Sequence, residues 1–92
     1  MGAHVDPALR GEWRVERLSG LMPPFGVGKR IGVSSGVTTV FGFPVAPFTA
    51  TGQKLVYRWL PIQDTLAAEE GGGWCGEGRL GGRRFCRFRL VR

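Results

Sequence analysis

Apolar residues along the chain alternate with polar ones over short runs that glycine and proline interrupt, and no helix-length window shows a 3.6-residue period. Alternation of this kind is typical of half-buried strands. The pattern predicts eight strands, over residues 11–18, 29–33, 37–43, 45–51, 54–60, 62–67, 73–80 and 83–91. The sequence therefore indicates an all-β fold.

The segments between these runs are turn material, including Ser34-Ser35-Gly36, Gly52-Gln53 and Gly81-Gly82. Most of them leave room only for a short hairpin connection, so consecutive strands must be antiparallel neighbours. The chain has seven or eight short strands in meander order, and its 92 residues are too short for the two full sheets of a sandwich. We therefore predict one domain over residues 1–92, an up-and-down barrel, with a loose N-terminal segment over residues 1–9.

Two segments depart from the hairpin pattern. Residues 19–28 contain two prolines and three glycines, which predicts an irregular loop that caps one end of the barrel. Residues 62–70 form either a strand or, with Asp64 as N-cap, a short helix over residues 65–70 that Gly71 ends.

The first predicted strand opens with Gly11-Glu12-Trp13, and its alternation points Trp13 and Val15 toward the core. In this motif the chain resembles the lipocalins and the wider calycin group, in which a basic residue of the last strand packs across the tryptophan. The resemblance implies a calycin-like barrel that binds a small ligand in its interior, and it gives the basic role to Arg87 or Arg89. The chain is shorter than lipocalins and shows no signal peptide, so we expect a minimal cytoplasmic form.

The last hairpin has a register that its turn fixes. A two-residue turn at Gly81-Gly82 would place Trp74 opposite Arg89, Cys75 opposite Phe88 and Cys86 opposite Glu77. The two cysteines would then be diagonal neighbours about 7 to 8 Å apart, too far for a relaxed disulfide, so we predict free thiols.

Both faces of the last strand carry apolar groups. Phe85 and Val91 share one face with Arg87 and Arg89, while Cys86, Phe88 and Leu90 occupy the other. Either face could line the interior. A strand that is apolar on both sides is usually covered on both sides, which favours a homodimer.

The aromatic residues are the main candidates to line a ligand pocket. The candidate lining residues are Trp13, Phe41, Phe43, Phe48, Tyr57, Trp59, Trp74 and Phe85, with Asp64, Arg87 and Arg89 as the charged members. An inward arginine would need an acidic partner, since an unpaired buried charge is costly. Such an arginine beside Asp64, Tyr57 and Trp59 could bind the head group of an acidic, mostly apolar ligand.

The charge distribution supports an alternative function. The net charge is +6, and residues 79–92 alone carry six arginines and no acidic side chain. Arginine alternates with phenylalanine there, and such a strand can neutralise phosphates and stack bases. Nucleic-acid binding by the basic C-terminal strand is therefore the alternative to a ligand barrel.

Other classes of function find no support in the composition. Two cysteines and one histidine cannot supply a four-ligand zinc site without carboxylates. No catalytic constellation is visible, so we expect a binding protein without cofactor rather than an enzyme. No apolar run approaches the length of a membrane span, and we expect no membrane partner.

Overall fold

The structure is a computed structural model that describes residues 4–92. Its eight strands are β1 (Gly11–Gly20), β2 (Val27–Ile31), β3 (Ser35–Val40), β4 (Phe43–Thr51), β5 (Lys54–Tyr57), β6 (Ile62–Ala68), β7 (Trp74–Leu80) and β8 (Arg83–Val91). Each strand pairs antiparallel with its neighbour in sequence, and β8 pairs with β1. The strands thus close into a barrel, and the predicted all-β meander is confirmed.

The segment with two alternatives forms a strand. Residues 62–68 pair with β5 on one side and with β7 on the other, which leaves no room for a helix over residues 65–70. The other strands begin or end within three residues of their predicted limits. The third strand ends early because Phe41 and Gly42 both have positive φ and make a tight turn into β4.

The predicted register of the last hairpin is wrong beyond its first pairs. The turn at Gly81-Gly82 forms, but β8 bulges at Phe85, so that Cys86 pairs with Gly78 and not with Glu77. One extra residue exchanges the two faces of a strand. Every pair further along β8 is therefore displaced by one position.

The bulge decides which side chains of β8 enter the barrel. Cys86, Phe88 and Leu90 are buried in the core, whereas Arg87 and Arg89 lie on the outer face. The homodimer prediction rested on an apolar outer face, and the outer face of β8 is instead rich in arginine. The two cysteines are free, as predicted, because they lie on opposite faces of the sheet.

The aromatic rings of this small interior lie over glycines. A side chain at Gly76 would collide with the ring of Phe88, and one at Gly36 would collide with the ring of Phe48. Phe48 and Phe88 are almost fully buried. These glycines make room for large side chains in a narrow barrel.

One end of the barrel, here called the closed end, is covered by the chain that precedes β1. The backbone N–H of Val5 donates to Val33 (2.7 Å) and that of Asp6 to Gly52 (2.8 Å). A 3-10 helix, Pro7–Leu9, follows, and the side chains of Val5 and Leu9 are buried. Residues 4–9, which we expected to be loose, are thus tied across the barrel, while residues 1–3 lie outside the described residues.

The opposite end, here called the open end, is only partly covered. The connection between β1 and β2 lies there, anchored by a hydrogen bond from the Leu21 N–H to the Phe85 carbonyl (2.9 Å). Met22 packs against the core while its neighbours remain exposed. The loop predicted to cap the barrel therefore shields the opening only in part.

Candidate functional site

A cavity of about 240 Å³ runs from the open end into the barrel. Its walls are predominantly apolar and come from most of the strands and from the β1–β2 loop. The apolar wall residues are Val15, Leu21, Met22, Pro23, Val27, Val40, Ala46, Leu60, Ile62, Phe85, Cys86 and Phe88. A concave apolar site with few polar groups is the usual form of a small-molecule site.

The floor of the cavity is a buried polar cluster formed by Lys29, Thr38, Tyr57 and Asp64. These residues come from β2, β3, β5 and β6, each at an inward-facing position. The Lys29 ammonium donates to Thr38 Oγ1 (2.7 Å) and Tyr57 Oη (2.5 Å), and it lies 3.2 Å from Asp64 Oδ2. The cluster separates the hollow half of the barrel from the filled half.

The surroundings keep Lys29 charged. Burial acts to lower its pKa, but the charge of Asp64 and the interactions with Tyr57 outweigh burial, so the pKa of Lys29 is raised. The ammonium also lies 5.2 to 5.5 Å from the ring centres of Phe48, Tyr57 and Phe88, which adds cation–π attraction. A Schiff-base or general-base lysine needs a lowered pKa, so the site does not favour that chemistry.

Tyr57 is neutral and takes part in the same network. Burial raises the pKa of its hydroxyl, and this effect exceeds the lowering by the Lys29 charge. The hydroxyl donates to Asp64 Oδ2 (3.1 Å), so the Thr38 hydroxyl donates to Tyr57 (2.6 Å). Four of the five donor hydrogens of Lys29, Tyr57 and Thr38 are then used in hydrogen bonds inside the cluster, and the Lys29 ammonium also forms an ion pair with Asp64. What remains for a ligand is acceptor capacity, chiefly on Asp64.

Cys86 places a thiol in the cavity wall. The thiol is free, and burial raises its pKa. It is therefore protonated at neutral pH and behaves as a small apolar wall group. Cys75, by contrast, lies on the outer face of β7.

Three of the predicted lining residues, Tyr57, Asp64 and Phe85, do line the cavity. The sequence analysis missed Lys29 and Thr38. For Lys29 a signal existed, because it alternates with Val27 and Ile31 and so shares their inward face. The sequence points instead to the arginines of the last strand as candidates for a buried cation.

Four aromatic candidates do not line the cavity. Trp13 and Trp74 are buried in the filled half of the barrel, near the closed end. Phe43 and Trp59 lie at the open end with 73% and 80% of their surface exposed. The sequence shows which residues are aromatic but not which of them the turns expose. Of the two other aromatic candidates, Phe41 is exposed and Phe48 belongs to the core.

Arg87 and Arg89 do not take the role that the calycin resemblance gave them. Both point outward, and Arg89 binds Glu69 across the sheet surface (2.8 Å). Instead, the guanidinium of Arg92 lies 4.0 Å from the ring centre of Trp13. The Trp13 indole N–H donates to the carbonyl of Leu9 (2.8 Å). A basic residue thus does cover the tryptophan, but it follows the last strand.

A larger groove of about 450 Å³ lies outside the barrel, where β1 diverges from β2. Its lining combines the charged residues Arg14, Glu16 and Arg17 with apolar ones such as Val15 and Phe25. The interior cavity has the more apolar lining and is therefore the better candidate for an apolar ligand.

Within residues 4–92 no group of three His, Cys, Asp or Glu side chains lies close enough to hold a metal ion. In the same part of the chain, no helix has the length and apolarity needed to cross a membrane. Comparison with protein-family models, with curated proteins and with solved structures finds no match to this chain.

Proposed function

We propose that this protein binds a small, mostly apolar molecule inside its barrel. The observation that carries the proposal is the apolar cavity of about 240 Å³, open at one end and floored by a buried polar cluster. Drug-sized ligands occupy about 300 Å³ or more. The ligand is therefore small.

The polar floor defines the chemistry of the ligand further. Lys29 and Asp64 neutralise each other, so the floor offers no net charge to an acidic head group. Because hydrogen bonds and the ion pair to Asp64 engage the donors of the cluster, a ligand finds mainly acceptors there. The best match is a neutral molecule with one hydroxyl or amino group at its inner end, which revises the acidic head group expected from the sequence.

Two features support the finer proposal that the barrel is calycin-like. The motif Gly11-Glu12-Trp13 opens β1, and Arg92 stacks on Trp13. These features concern only the closed end. The ligand proposal does not depend on them.

Fluorescence titration with 1-aminoanthracene tests the proposal. This probe is neutral, apolar and carries one amino donor, and its emission rises in apolar surroundings. We expect saturable binding with one site per chain, and weaker binding of the matched 1-anthracenecarboxylate. Absence of saturable binding by either compound would contradict the proposal.

A pair of matched variants locates the bound probe. Ala46 lies in the cavity wall, whereas Ala67 lies on the outer face of β6 and is exposed. Ala46→Phe fills the cavity and should abolish binding, while Ala67→Phe should bind as the native chain does. Equal binding by both folded variants would place the probe elsewhere and overturn the proposal.

The thiol of Cys86 gives an independent readout. In a Cys75→Ser background, the rate at which N-ethylmaleimide modifies Cys86 reports access to the cavity. Saturating 1-aminoanthracene should slow this modification at least several-fold. Native mass spectrometry of freshly purified protein would then show whether a molecule of a few hundred daltons accompanies it.

The alternative, nucleic-acid binding through β8, has less support. Phe88 points into the barrel, so the outer face of β8 carries arginines without the interleaved ring. Arg89 is paired with Glu69, and Arg84 with Glu77. A steep dependence of single-stranded RNA affinity on salt would revive this alternative.

A further inference from the structure

A group of exposed apolar side chains lies at the end of the barrel where the cavity opens. It comes from the connections β1–β2, β3–β4 and β5–β6 and from Phe43, the first residue of β4. Its members, here called the apolar rim, are Leu21, Phe25, Phe41, Phe43, Trp59 and Leu60. Leu21 and Trp59 are exposed to 81% and 80%. An apolar surface beside an opening is typical of an interaction site.

The rim has structure of its own. The rings of Phe25 and Phe41 pack edge to face with centres 6.1 Å apart, and the Phe41 N–H donates to the Gly26 carbonyl (2.7 Å). Phe41 has φ +48°, a conformation that bulky residues rarely adopt. The turn thus holds an aromatic ring in water at a backbone position that asparagine or glycine would fill more easily.

The charge at this end is of one sign. The segments that form the open end, residues 17–26, 40–45, 57–62 and 79–85, contain five arginines and no acidic residue. Arg79 and Arg84 bind Glu77, which lies further down β7. No ion pair involves Arg17, Arg58 or Arg83 within the described part of the chain.

We propose that the open end binds the surface of an anionic lipid bilayer. The rim side chains would enter the interface between head groups and acyl chains, where tryptophan and phenylalanine are favoured, and the arginines would meet the lipid phosphates. This proposal goes beyond the proposed function, and it holds whether or not the cavity is occupied. It also gives an apolar ligand a source, because the cavity opens at the same end of the barrel.

A second copy of the chain fits this surface less well. A symmetric dimer through the open end would bring two identical rims together. Arg17, Arg58 and Arg83, which form no ion pair within the described residues, would then face their copies, and like charges at close range repel. Single-stranded nucleic acid would satisfy the arginines, but it would leave the aliphatic side chains of Leu21 and Leu60 in water.

This proposal departs from the expectation of no membrane partner, which the structure does not test. That expectation rested on the absence of a continuous apolar run. The rim residues come from three separate connections and from the start of β4, and they are assembled only by the barrel. A search along the sequence for a long apolar segment therefore does not find them.

Vesicle binding of the full chain tests the proposal, with Trp59 as the internal reporter. Trp13 and Trp74 are 4% exposed, so a blue shift of tryptophan emission reports Trp59 entering the interface. The probe is a 100 nm vesicle of phosphatidylcholine with about one third phosphatidylserine, compared with pure phosphatidylcholine. We expect a saturable blue shift with the anionic vesicles, quenching by brominated lipid, and weakening by salt.

Two pairs of variants assign the effect to the open end. Arg58→Gln with Arg83→Gln should weaken binding about five-fold per arginine, whereas Lys54→Gln, at the closed end, should change it by less than two-fold. Phe25→Ser with Phe43→Ser should weaken binding at least ten-fold. Its control is Val33→Ser, an exposed apolar residue of the closed end.

Several outcomes would overturn the proposal. One is the absence of a blue shift with anionic vesicles, and another is equal weakening by the closed-end controls. A blue shift with single-stranded RNA and none with vesicles would assign the surface to nucleic acid. Concentration-dependent dimerisation that Phe25→Ser abolishes, without vesicle binding, would assign it to a second copy. Ala46→Phe, which fills the cavity, should bind vesicles normally, so failure of the ligand proposal is seen separately.

Discussion

The two ends of the barrel are built from the same eight strands, yet they are completed in opposite ways. At the closed end, residues 4–10 cross the opening, and Val5 and Leu9 fill it. At the open end, the connections cover the opening only in part, and the side chains of Leu21 and Trp59 are exposed to solvent. One end therefore buries its apolar residues and the other displays them.

The charges of the two ends differ in the same sense. The segments of the closed end, residues 4–13, 31–36, 50–55, 67–75 and 89–92, carry four basic and four acidic residues, while the open end carries five arginines alone. Balanced charge and filled volume are what a stable fold needs. Unbalanced charge beside an exposed apolar surface does not stabilise the fold. The buried contacts that stabilise the barrel therefore extend to the closed end, and the open end is where both proposed binding sites lie.

The buried polar cluster separates the hollow half of the barrel from the filled half. A single substitution in this cluster should lower the free energy of unfolding most. Lys29→Met removes the cation and leaves the buried carboxylate of Asp64 with its hydrogen bond from Tyr57 but without the countercharge of Lys29. Removing one partner of a buried ion pair typically costs about 3 to 5 kcal/mol. Urea denaturation should show a loss of this size in the free energy of unfolding.

The double variant Lys29→Met with Asp64→Leu is the control. It removes both charges, so no buried charge is left unpaired, and much of the stability should return. If the double variant is as unstable as Lys29→Met, or if Lys29→Met is harmless, the cluster is not the structural boundary described above.

The next largest effect is expected from a comparison of one core substitution at the closed end with one surface substitution at the open end. Leu9→Ala empties the centre of the closed end, and a leucine removed from a core costs about 2 to 5 kcal/mol. Phe25→Ala removes a larger side chain from the open end, where it is mostly exposed, and should change the free energy of unfolding by less than about 0.5 kcal/mol. Comparable losses for the two variants in thermal or urea denaturation would contradict the comparison.

The sequence allows the strands of this barrel to be predicted, but not all of its faces. Glycine and proline punctuation gives eight strands with limits within three residues, because short hairpins leave few other connections. The bulge at Phe85 has no such signal, since one unpaired residue depends on how β8 closes on β1 and β7. This one residue turned Arg87 and Arg89 outward.

The candidate site could be predicted in part. Tyr57 and Asp64, named as candidates for their aromatic ring and their carboxylate, line the cavity, and alternation with Val27 and Ile31 would have placed Lys29 on the inward face as well. Arg92 could not be placed over Trp13, because it follows the last strand and its position depends on the path of the chain end. The N-terminal crossing was likewise missed, since its anchors are backbone hydrogen bonds to Val33 and Gly52.

Alkaline pH should lower the free energy of unfolding through the polar cluster, but by less than Lys29→Met or Leu9→Ala does. The folded-state pKa values of Lys29 and Tyr57 are raised above their ordinary values near pH 10. A raised folded-state pKa stabilises the fold fully below the unfolded-state value, and the stabilisation is lost as pH rises through the folded-state value. Denaturation curves should therefore show a lower free energy of unfolding above about pH 10. The decrease should be smaller for the double variant Lys29→Met with Asp64→Leu.

The smallest effect we predict is that of Phe41→Asn, which should affect stability and vesicle binding in opposite directions. Phe41 occupies the first position of a turn in which φ is positive at both central residues, and its side chain is 66% exposed. Asparagine adopts this conformation more readily, so Phe41→Asn should leave the free energy of unfolding unchanged or raise it by up to about 1 kcal/mol. The same variant removes a ring from the apolar rim and should weaken binding to anionic vesicles. If Phe41→Asn gains stability while it loses vesicle binding, Phe41 contributes to the binding surface and not to the stability of the fold. A clear loss of stability would instead mean that Phe41 has a structural role.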